Sequence, residues 1–222
     1  MEGREFNRVA PGAGNLATAT IHVVDDESAV RNAMARLLRS IGYEVSLYGS
    51  AAEFLARPPK PERGCVLLDV QMPGLSGPEL QDQLTKSGWL LPIVFLSGHG
   101  DIPMSVRAIK AGAEDFLAKP ARKEVLQDAI ERALRRYDES CERNSRMNVQ
   151  RQNELRLTPR EREVFNLVVR GRMNKQIAYE LGASERTIKA HRGSVMTKFQ
   201  VRSLAELVSI AEHLGVLQER SE

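Results

Sequence analysis

The chain has 222 residues, of which 42% are hydrophobic and 27% charged, a globular composition in a chain long enough for two small domains. Its two cysteines, Cys65 and Cys141, form no CxxC pair, which excludes a disulfide framework and a structural zinc site and favours a reducing cytoplasm. No apolar run approaches the roughly 18 residues that span a bilayer, and residues 1–19 lack the apolar segment of a signal peptide. The formal net charge of +3 is concentrated in residues 157–222.

Residues 20–138 alternate short β-branched runs with segments whose apolar residues recur at helical spacing. This pattern predicts an α/β fold, a doubly wound five-stranded parallel sheet of flavodoxin-like topology. The first 19 residues lack the pattern and are expected to be a disordered extension. The predicted strands are 20–26, 44–48, 65–69, 92–97 and 115–119. The predicted helices are 28–40, 51–56, 78–85, 102–111 and 122–137.

Polar residues stand where the predicted strands end. Asp25 and Asp26 end the first strand, Asp69 the third, Ser97 the fourth and Lys119 the fifth. Ligands of such sheets bind at the carboxyl ends of the strands, so these side chains should converge. Converging carboxylates repel one another unless a cation joins them, and ligation by oxygen alone suits Mg²⁺. Asp69 would then be free to act as a nucleophile toward phosphorus, although each acid taken singly is equally well explained as a helix cap or a solvated charge.

Five motifs make residues 20–138 resemble the receiver domain of two-component response regulators. They are VVDDE at 23–27, LLDVQMPG at 67–74, FLSGH at 95–99, AGAEDF at 111–116 and the Lys-Pro pair at 119–120. The resemblance implies that Asp69 accepts a phosphoryl group from a sensor histidine kinase. The implied Mg²⁺ ligands are Asp26, Asp69 and the backbone carbonyl of Gln71, with Asp25 acting through water. The residues implied to bind the phosphoryl group and to switch the domain are Ser97, Lys119 and Phe116. The residues implied to set the lifetime of the phosphoryl group are Gln71 and His99.

Residues 139–156 are polar and mixed in charge, which predicts a linker or an extension of the preceding helix. Residues 157–222 predict four helices without strands, and the third is rich in basic residues. The short Gly-containing turn at 181–184 joins it to the second helix, as in a helix-turn-helix. A recognition helix places its N-terminal residues at base edges and its basic residues on phosphates. The alternative is a solvated basic face. The predicted N-caps are Thr158, Asn174, Ser184 and Ser203.

Residues 157–214 resemble the LuxR-type four-helix DNA-binding domain, through LTPREREV at 157–164, NKQIAYEL at 174–181 and SERTIKAH at 184–191. The runs VMTKFQ at 195–200 and HGDIPM at 99–104 are similar to the FixJ subgroup of NarL/FixJ regulators. The base contacts that the resemblance implies are Thr187, Ile188 and His191, although Ile188 is also a candidate for the core. The implied phosphate contacts are Lys175, Lys189, Arg192 and Lys198.

Together these resemblances imply a cytoplasmic transcription regulator that binds double-stranded promoter DNA. Phosphorylation would either produce a homodimer or release a masked DNA-binding domain. Its only chemistry would be self-phosphorylation and autodephosphorylation at Asp69, and RNA polymerase is a further candidate partner. No membrane partner is expected. The apolar residues Met104, Val106 and Ile109 are candidates either for the core or for the dimer face.

Other functional classes compete with this interpretation. A receiver with a protein-binding helical output would share the acidic site but would not bind DNA. An aspartyl-phosphate hydrolase of the haloacid dehalogenase type has a second Asp two residues after its nucleophile, where this chain has Gln71. A LuxR regulator gated by an acyl-homoserine lactone needs an apolar ligand domain in place of the acidic one.

Overall fold

The structure, a computed structural model, describes residues 19–59, 62–98 and 102–217. The chain divides into two compact units, the first ending at Cys141 and the second beginning at Glu142. The predicted extension, 1–19, lies outside the described residues except for Ala19. This residue is fully buried, and its carbonyl accepts a 3.2 Å hydrogen bond from the backbone N–H of Glu44, so the ordered region begins at least one residue earlier than predicted.

The first unit contains a five-stranded parallel sheet in the order β2-β1-β3-β4-β5, which confirms the predicted fold. The strands are β1 (Thr20–Val24), β2 (Glu44–Tyr48), β3 (Gly64–Asp69), β4 (Ile93–Ser97) and β5 (Asp115–Ala118). The helices are α1 (Ser28–Ile41), α2 (Ala51–Ala56), α3 (Gly77–Lys86), α4 (Ile102–Lys110) and the first part of α5 (Lys123–Leu155).

Two apolar cores cover the faces of this sheet, and the central strand β3 contributes to both. Side chains alternate between the faces along a strand. Leu67 therefore packs in the core with Ile130 of α5, whereas Leu68 packs in the opposite core with Phe54 of α2. All of β3 is buried, and its residues before Asp69 form a continuous apolar run. Such a run is the sequence signal of a strand covered on both faces, so the strand was predicted to within one residue.

Helix α5 runs through most of residues 139–156, for which the sequence predicts a linker or an extension of the preceding helix. Residues 139–155 are helical, so the alternative of an extended preceding helix is the correct one. Arg63 attaches this helix to the start of β3, because its Nε and Nη2 each lie 2.9 Å from a carboxylate oxygen of Asp138. No helix in the described ranges is both long and apolar enough to cross a bilayer.

The second unit is helical, and its described helices after α5 are α6 (Pro159–Val169), α7 (Asn174–Glu180), α8 (Glu185–Phe199) and α9 (Leu204–His213). Thr158 and Glu161 form the predicted capping box, in which the Thr158 N–H donates to Glu161 Oε2 over 2.7 Å. Ser184 and Ser203 also cap as predicted, but α7 begins at Asn174 and its N-cap is Met173. A central pair of stacked rings, Phe165 and Phe199, lies 5.0 Å apart in the core.

Buried His22 makes the first unit sensitive to mild acid. The side chain lies in β1 with 5% exposure, and burial lowers its pKa from 6.5 to about 4. The unfolded chain then takes up a proton at a pH where the folded chain does not, so stability is full above about pH 6.5 and falls toward pH 4. We expect a loss of about 2 kcal/mol between about pH 7 and about pH 5.

Urea unfolding followed by the fluorescence of Trp89, the only tryptophan in the chain, measures this loss. His22→Leu cannot be protonated and should lose about 2 kcal/mol less than the wild type over the same pH interval. An equal pH dependence in the two proteins would contradict the assignment to His22.

Candidate functional site

Three carboxylates meet at the carboxyl edge of the sheet. Strands β1 and β3 are parallel neighbours, with Val24 beside Leu68, so the residues that end them lie side by side. One oxygen from each of Asp25, Asp26 and Asp69 lies within 4.8 Å of the others. Asp25 and Asp69 are buried, at 1% and 6% exposure, whereas Asp26 faces solvent. The predicted convergence is therefore present.

Lys119 reaches this cluster from β5, on the far side of β4. Its backbone N–H donates to the carbonyl of Ser97 over 2.7 Å, and the peptide bond that follows it is cis to Pro120. Its Nζ lies 2.6 Å from Asp25 Oδ2 and 3.0 Å from Asp69 Oδ1. One ammonium group is thus shared by two buried carboxylates, and a third carboxylate remains beside them.

The charges of the site are incompletely balanced. Burial raises the pKa of the Asp69 carboxyl, and Asp25 adds to this rise, while Lys119 opposes it. Burial lowers the pKa of Lys119, but its hydrogen bonds to Asp25 and Asp69 outweigh that effect and leave it above its ordinary value. When all three acids are ionised, the cluster and its lysine carry two excess negative charges. This donor set, oxygen alone and with net negative charge, fits a hard divalent cation.

Of the residues predicted to switch the domain, Lys119 contacts this cluster, Ser97 ends the strand beside β3, and Phe116 stands three residues before Lys119. Ser97 ends β4 and is buried, and half-buried Phe116 of β5 has its ring centroid 6.1 Å from that of Phe95. Gln71 is exposed in the loop after β3. The other predicted lifetime residue, His99, lies outside the described residues.

Helix α4 exposes an apolar face. Val106 and Ile109 are 47% and 45% exposed, and Ile102 is more exposed still, so the core interpretation of Val106 and Ile109 is wrong. Ala108 is the buried residue of this helix. Met104 is half-buried and packs against the core.

Sequence reasoning missed two residues that shape the acidic site. Arg31 of α1 donates from Nη1 to the backbone carbonyl of Asp25 over 2.5 Å. Gly77 is the first residue of α3 and lies against the backbone of Asp69. An added Cβ at Gly77 would overlap the Asp69 carbonyl oxygen. A glycine followed by proline at a helix start is a weak signal for such a close approach. The position of Arg31 carries no sequence signal that separates it from an ordinary solvated arginine.

In the second unit, α7 and α8 form the predicted helix-turn-helix. The turn is closed by a 2.9 Å hydrogen bond from the Ala183 N–H to the Ala178 carbonyl. The predicted contact residues that are exposed on these helices are Lys175, Thr187 and Lys189. His191 and Arg192 are half-buried, and Arg192 Nη1 lies 3.3 Å from Asn174 Oδ1.

The structure contradicts the predicted base contact of Ile188. This side chain is fully buried and lies on the stripe of α8 that also buries Val195 and Phe199. Its neighbours Thr187 and Lys189 point away from the core. Ile188 therefore holds the recognition helix in place, and the core alternative is the correct one.

Lys198, a predicted phosphate contact, is engaged within the protein. Its Nζ donates to Glu161 Oε2 over 2.6 Å and to the Arg156 carbonyl over 2.9 Å. The hydrogen bond from Lys198 is the main reason that the pKa of Glu161 lies below its ordinary range, with the Thr158 N–H as the next cause. The structure gives Lys198 a role in stability and offers no support for a DNA contact.

We therefore expect Lys198→Met to destabilise the second unit by about 2 kcal/mol, because it leaves the buried Glu161 carboxylate without its cation. Urea unfolding monitored by far-UV circular dichroism measures this loss. Binding to a fluorescent duplex of mixed sequence should keep its salt dependence in Lys198→Met. In the exposed control Lys189→Met, the slope of log K against log salt should fall by about one. The opposite pattern would restore Lys198 as a phosphate contact.

Comparisons with known proteins agree with both halves of this architecture. The family described as the response regulator receiver domain matches residues 21–131, and the family of bacterial regulatory proteins of the luxR type matches residues 155–211. Response regulator protein TodT of Pseudomonas putida is 44% identical over 196 residues, 88% of this chain and 86% of that protein. Transcriptional regulatory protein FixJ of Bradyrhizobium diazoefficiens is 40% identical over 199 residues, 90% of this chain and 97% of that protein.

A solved structure is also similar to this chain. The response regulator StyR superposes with a TM-score of 0.72 at 48% identity, over 88% of this chain and 99% of that one. The chain belongs to the NarL/FixJ family of two-component response regulators, and it combines a receiver domain with a LuxR-type DNA-binding domain.

Proposed function

We propose that phosphorylation of Asp69 by a sensor histidine kinase switches this regulator to a dimer that binds promoter DNA. The observation that carries the proposal is the geometry of Lys119, whose Nζ contacts both Asp25 and Asp69 beside a third carboxylate. A receiver domain implies a kinase partner, and a LuxR-type domain implies DNA as the target. Because promoter DNA is the target, we place the protein in the bacterial cytoplasm.

Among the three acids, Asp69 is the best placed to react. Asp25 is enclosed and holds hydrogen bonds at both carboxylate oxygens, from Lys119 and from the Glu27 N–H. Asp26 is exposed and has no hydrogen-bond partner in the described residues. In the proposed step an Asp69 oxygen attacks the phosphorus of a phosphohistidine. The P–N bond breaks, and the histidine nitrogen leaves with the electron pair.

Receiver domains generally bind Mg²⁺ at an acidic pocket, and the donor set here fits that ion. The proposed ligands are Asp26, Asp69 and the backbone carbonyl of Gln71, with Asp25 acting through water. When bound, the ion supplies positive charge that neutralises the acids and the incoming phosphoryl oxygens. Lys119 then pairs with a phosphoryl oxygen, and the Ser97 hydroxyl donates to another.

The proposed output links this pocket to α4. A phosphoryl group on Asp69 carries about two negative charges in place of the one on the carboxylate, and this extra charge draws the Ser97 hydroxyl inward and frees space for Phe116. The exposed apolar face of α4, with Ile102, Val106 and Ile109, supports burial against a second copy of the chain. Gln71 and His99 are the residues that we propose limit the lifetime of this state.

The paired DNA-binding domains would then read an inverted repeat with α8. Thr187 and His191 are the proposed base contacts. The proposed phosphate contacts are Lys175, Lys189 and Arg192. RNA polymerase is a proposed further partner at the promoter.

Capture of sheared genomic DNA by the purified chain, followed by sequencing, tests this function. The capture is run with and without acetyl phosphate and Mg²⁺. Enrichment of a shared inverted repeat mainly with the phosphodonor is the expected result. Equal enrichment in both conditions would remove phosphorylation as the switch. No enrichment in either would favour a protein-binding output.

A further inference from the structure

We propose that Arg31 is a positioning residue of the acidic site, which fixes the peptide between Asp25 and Asp26 and thereby aims the Asp26 carboxylate. The inference rests on the proposed Mg²⁺ site and extends it to a residue that lies outside the ligand set. No described contact joins Arg31 to any of the three carboxylates, so its action passes through the backbone.

The side chain of Arg31 folds back toward the start of α1. Long helical side chains point toward the N-terminus of their helix, so a residue in the first turn can reach the loop before it. Arg31 Nη1 lies 2.5 Å from the carbonyl oxygen of Asp25. The guanidinium also lies beside Gly49 after β2, where an added Cβ would be 3.5 Å from Nη2, in ordinary contact.

With this contact, every polar group of Asp25 has a partner. Its N–H donates to the Tyr48 carbonyl over 3.2 Å, and its carbonyl accepts from Arg31. Its carboxylate accepts from the Glu27 N–H over 2.9 Å and from Lys119 over 2.6 Å. Asp25 is therefore fixed at four points.

Asp26 contrasts with its neighbour. Its side chain is exposed, and within the described ranges it has no hydrogen bond or ion pair. The backbone alone then fixes the direction of its Cα–Cβ bond, and so the range of positions that its carboxylate can reach. The carbonyl of Asp25 and the N–H of Asp26 belong to one planar peptide, so the bond from Arg31 restrains the dihedral angles on both sides of that plane.

This restraint matters for the proposed metal because Mg²⁺ tolerates little departure from octahedral geometry. Residues that orient the ligands of a metal, without binding it, typically contribute about 10- to 100-fold to its affinity. A role through charge alone predicts the opposite sign, since the positive guanidinium repels a divalent cation. Removal of Arg31 should weaken Mg²⁺ binding if it positions Asp26 and tighten it if only its charge acts.

Isothermal titration of the full-length chain with MgCl₂ tests the proposal. Four proteins are compared: the wild type, Arg31→Met, Arg31→Lys and the control Arg36→Met, which removes an exposed arginine from the same helix. We expect a Kd for Mg²⁺ about tenfold higher in Arg31→Met. Arg31→Lys keeps the charge and one donor group, so its Kd should lie between those of Arg31→Met and the wild type. Arg36→Met should match the wild type.

A second readout uses the metal-free proteins. In NMR spectra recorded in EDTA, the chemical shift of the Asp26 backbone amide should differ from the wild-type value in Arg31→Met and match it in Arg36→Met. A role in stability alone would lower the melting temperature without changing the Kd. If Arg31→Met does not fold, a wild-type Kd in Arg31→Lys would overturn the proposal.

The outcomes distinguish the proposed metal site from the proposed role of Arg31. Wild-type protein that binds no Mg²⁺ would overturn the proposed metal site together with this inference. Wild-type protein that binds Mg²⁺ while Arg31→Met binds it equally well or more tightly would overturn the role of Arg31 alone.

Discussion

Asp69→Asn should take up no detectable phosphoryl group from acetyl phosphate and Mg²⁺ while remaining folded. The amide that replaces the carboxylate carries no charge and is a poor nucleophile toward phosphorus. The fold should tolerate the change, because it removes one of three crowded acids and leaves Lys119 paired with Asp25. Its melting temperature should therefore equal or exceed that of the wild type.

Electrophoresis in a phosphate-binding gel measures the uptake. The matched control is Asp82→Asn, which removes an exposed carboxylate from α3 and should be phosphorylated like the wild type. Undiminished uptake by Asp69→Asn would assign the phosphoryl group to another residue and remove the basis of the proposed switch.

Gly77→Ala should destabilise the first unit by about 3 kcal/mol. The added Cβ would overlap the carbonyl oxygen of Asp69 and lie 3.0 Å from the Phe95 ring. Neither neighbour can yield easily, since one is backbone at the end of β3 and the other is a fully buried ring. The N–H of Gly77 also donates to the Val70 carbonyl over 3.1 Å, so relief of the overlap would disturb the loop that follows Asp69.

Urea unfolding at neutral pH, followed by Trp89 fluorescence, measures the change. Gly98→Ala is the control, because a Cβ at Gly98 meets no atom within 4 Å in the part of the chain that the structure describes. If the free energy of unfolding of Gly77→Ala lies within about 0.5 kcal/mol of the wild-type value, the close approach of residue 77 to the Asp69 carbonyl does not constrain the fold.

The parts of the site that sequence could predict are those tied to strand ends. Strand β3 is a buried apolar run that stops at Asp69, and β1 stops at two acids, so parallel pairing alone brings these residues together. Lys119 follows by the same logic from β5. Arg31 and Gly77 could not be found in this way, because their roles depend on a backbone carbonyl that only the folded chain brings to them.

The sequence left the length of α5 open between a linker and an extended helix, for a different reason. Residues 139–155 lack an apolar stripe, which is the main signal of a helix packed on a core. Pairs such as Glu142 and Arg146, one turn apart, support the helix instead. The bidentate contact of Arg63 with Asp138 spans 75 residues of sequence, and no local pattern reveals it.

In the recognition helix α8, a basic residue in the sequence does not by itself predict a DNA contact. Lys189 and Lys198 look alike in sequence, yet one is exposed and the other pairs with Glu161, 37 residues earlier. Ile188 lies between two exposed residues and is itself buried, because the apolar stripe fixes the rotation of the helix. The rotation of α8 about its axis therefore decides which side chains can reach DNA. That rotation depends on how α8 packs against the other helices, which a single sequence does not specify.

The exposed apolar face of α4 has a consequence for gene dosage. Pairing through this face, as proposed, is second order in protein, so the paired fraction depends on copy number as well as on kinase activity. At low copy number, a fully phosphorylated population would still be mostly single molecules. Val106 and Ile109 would thus set a threshold of expression below which the incoming signal produces little transcriptional response.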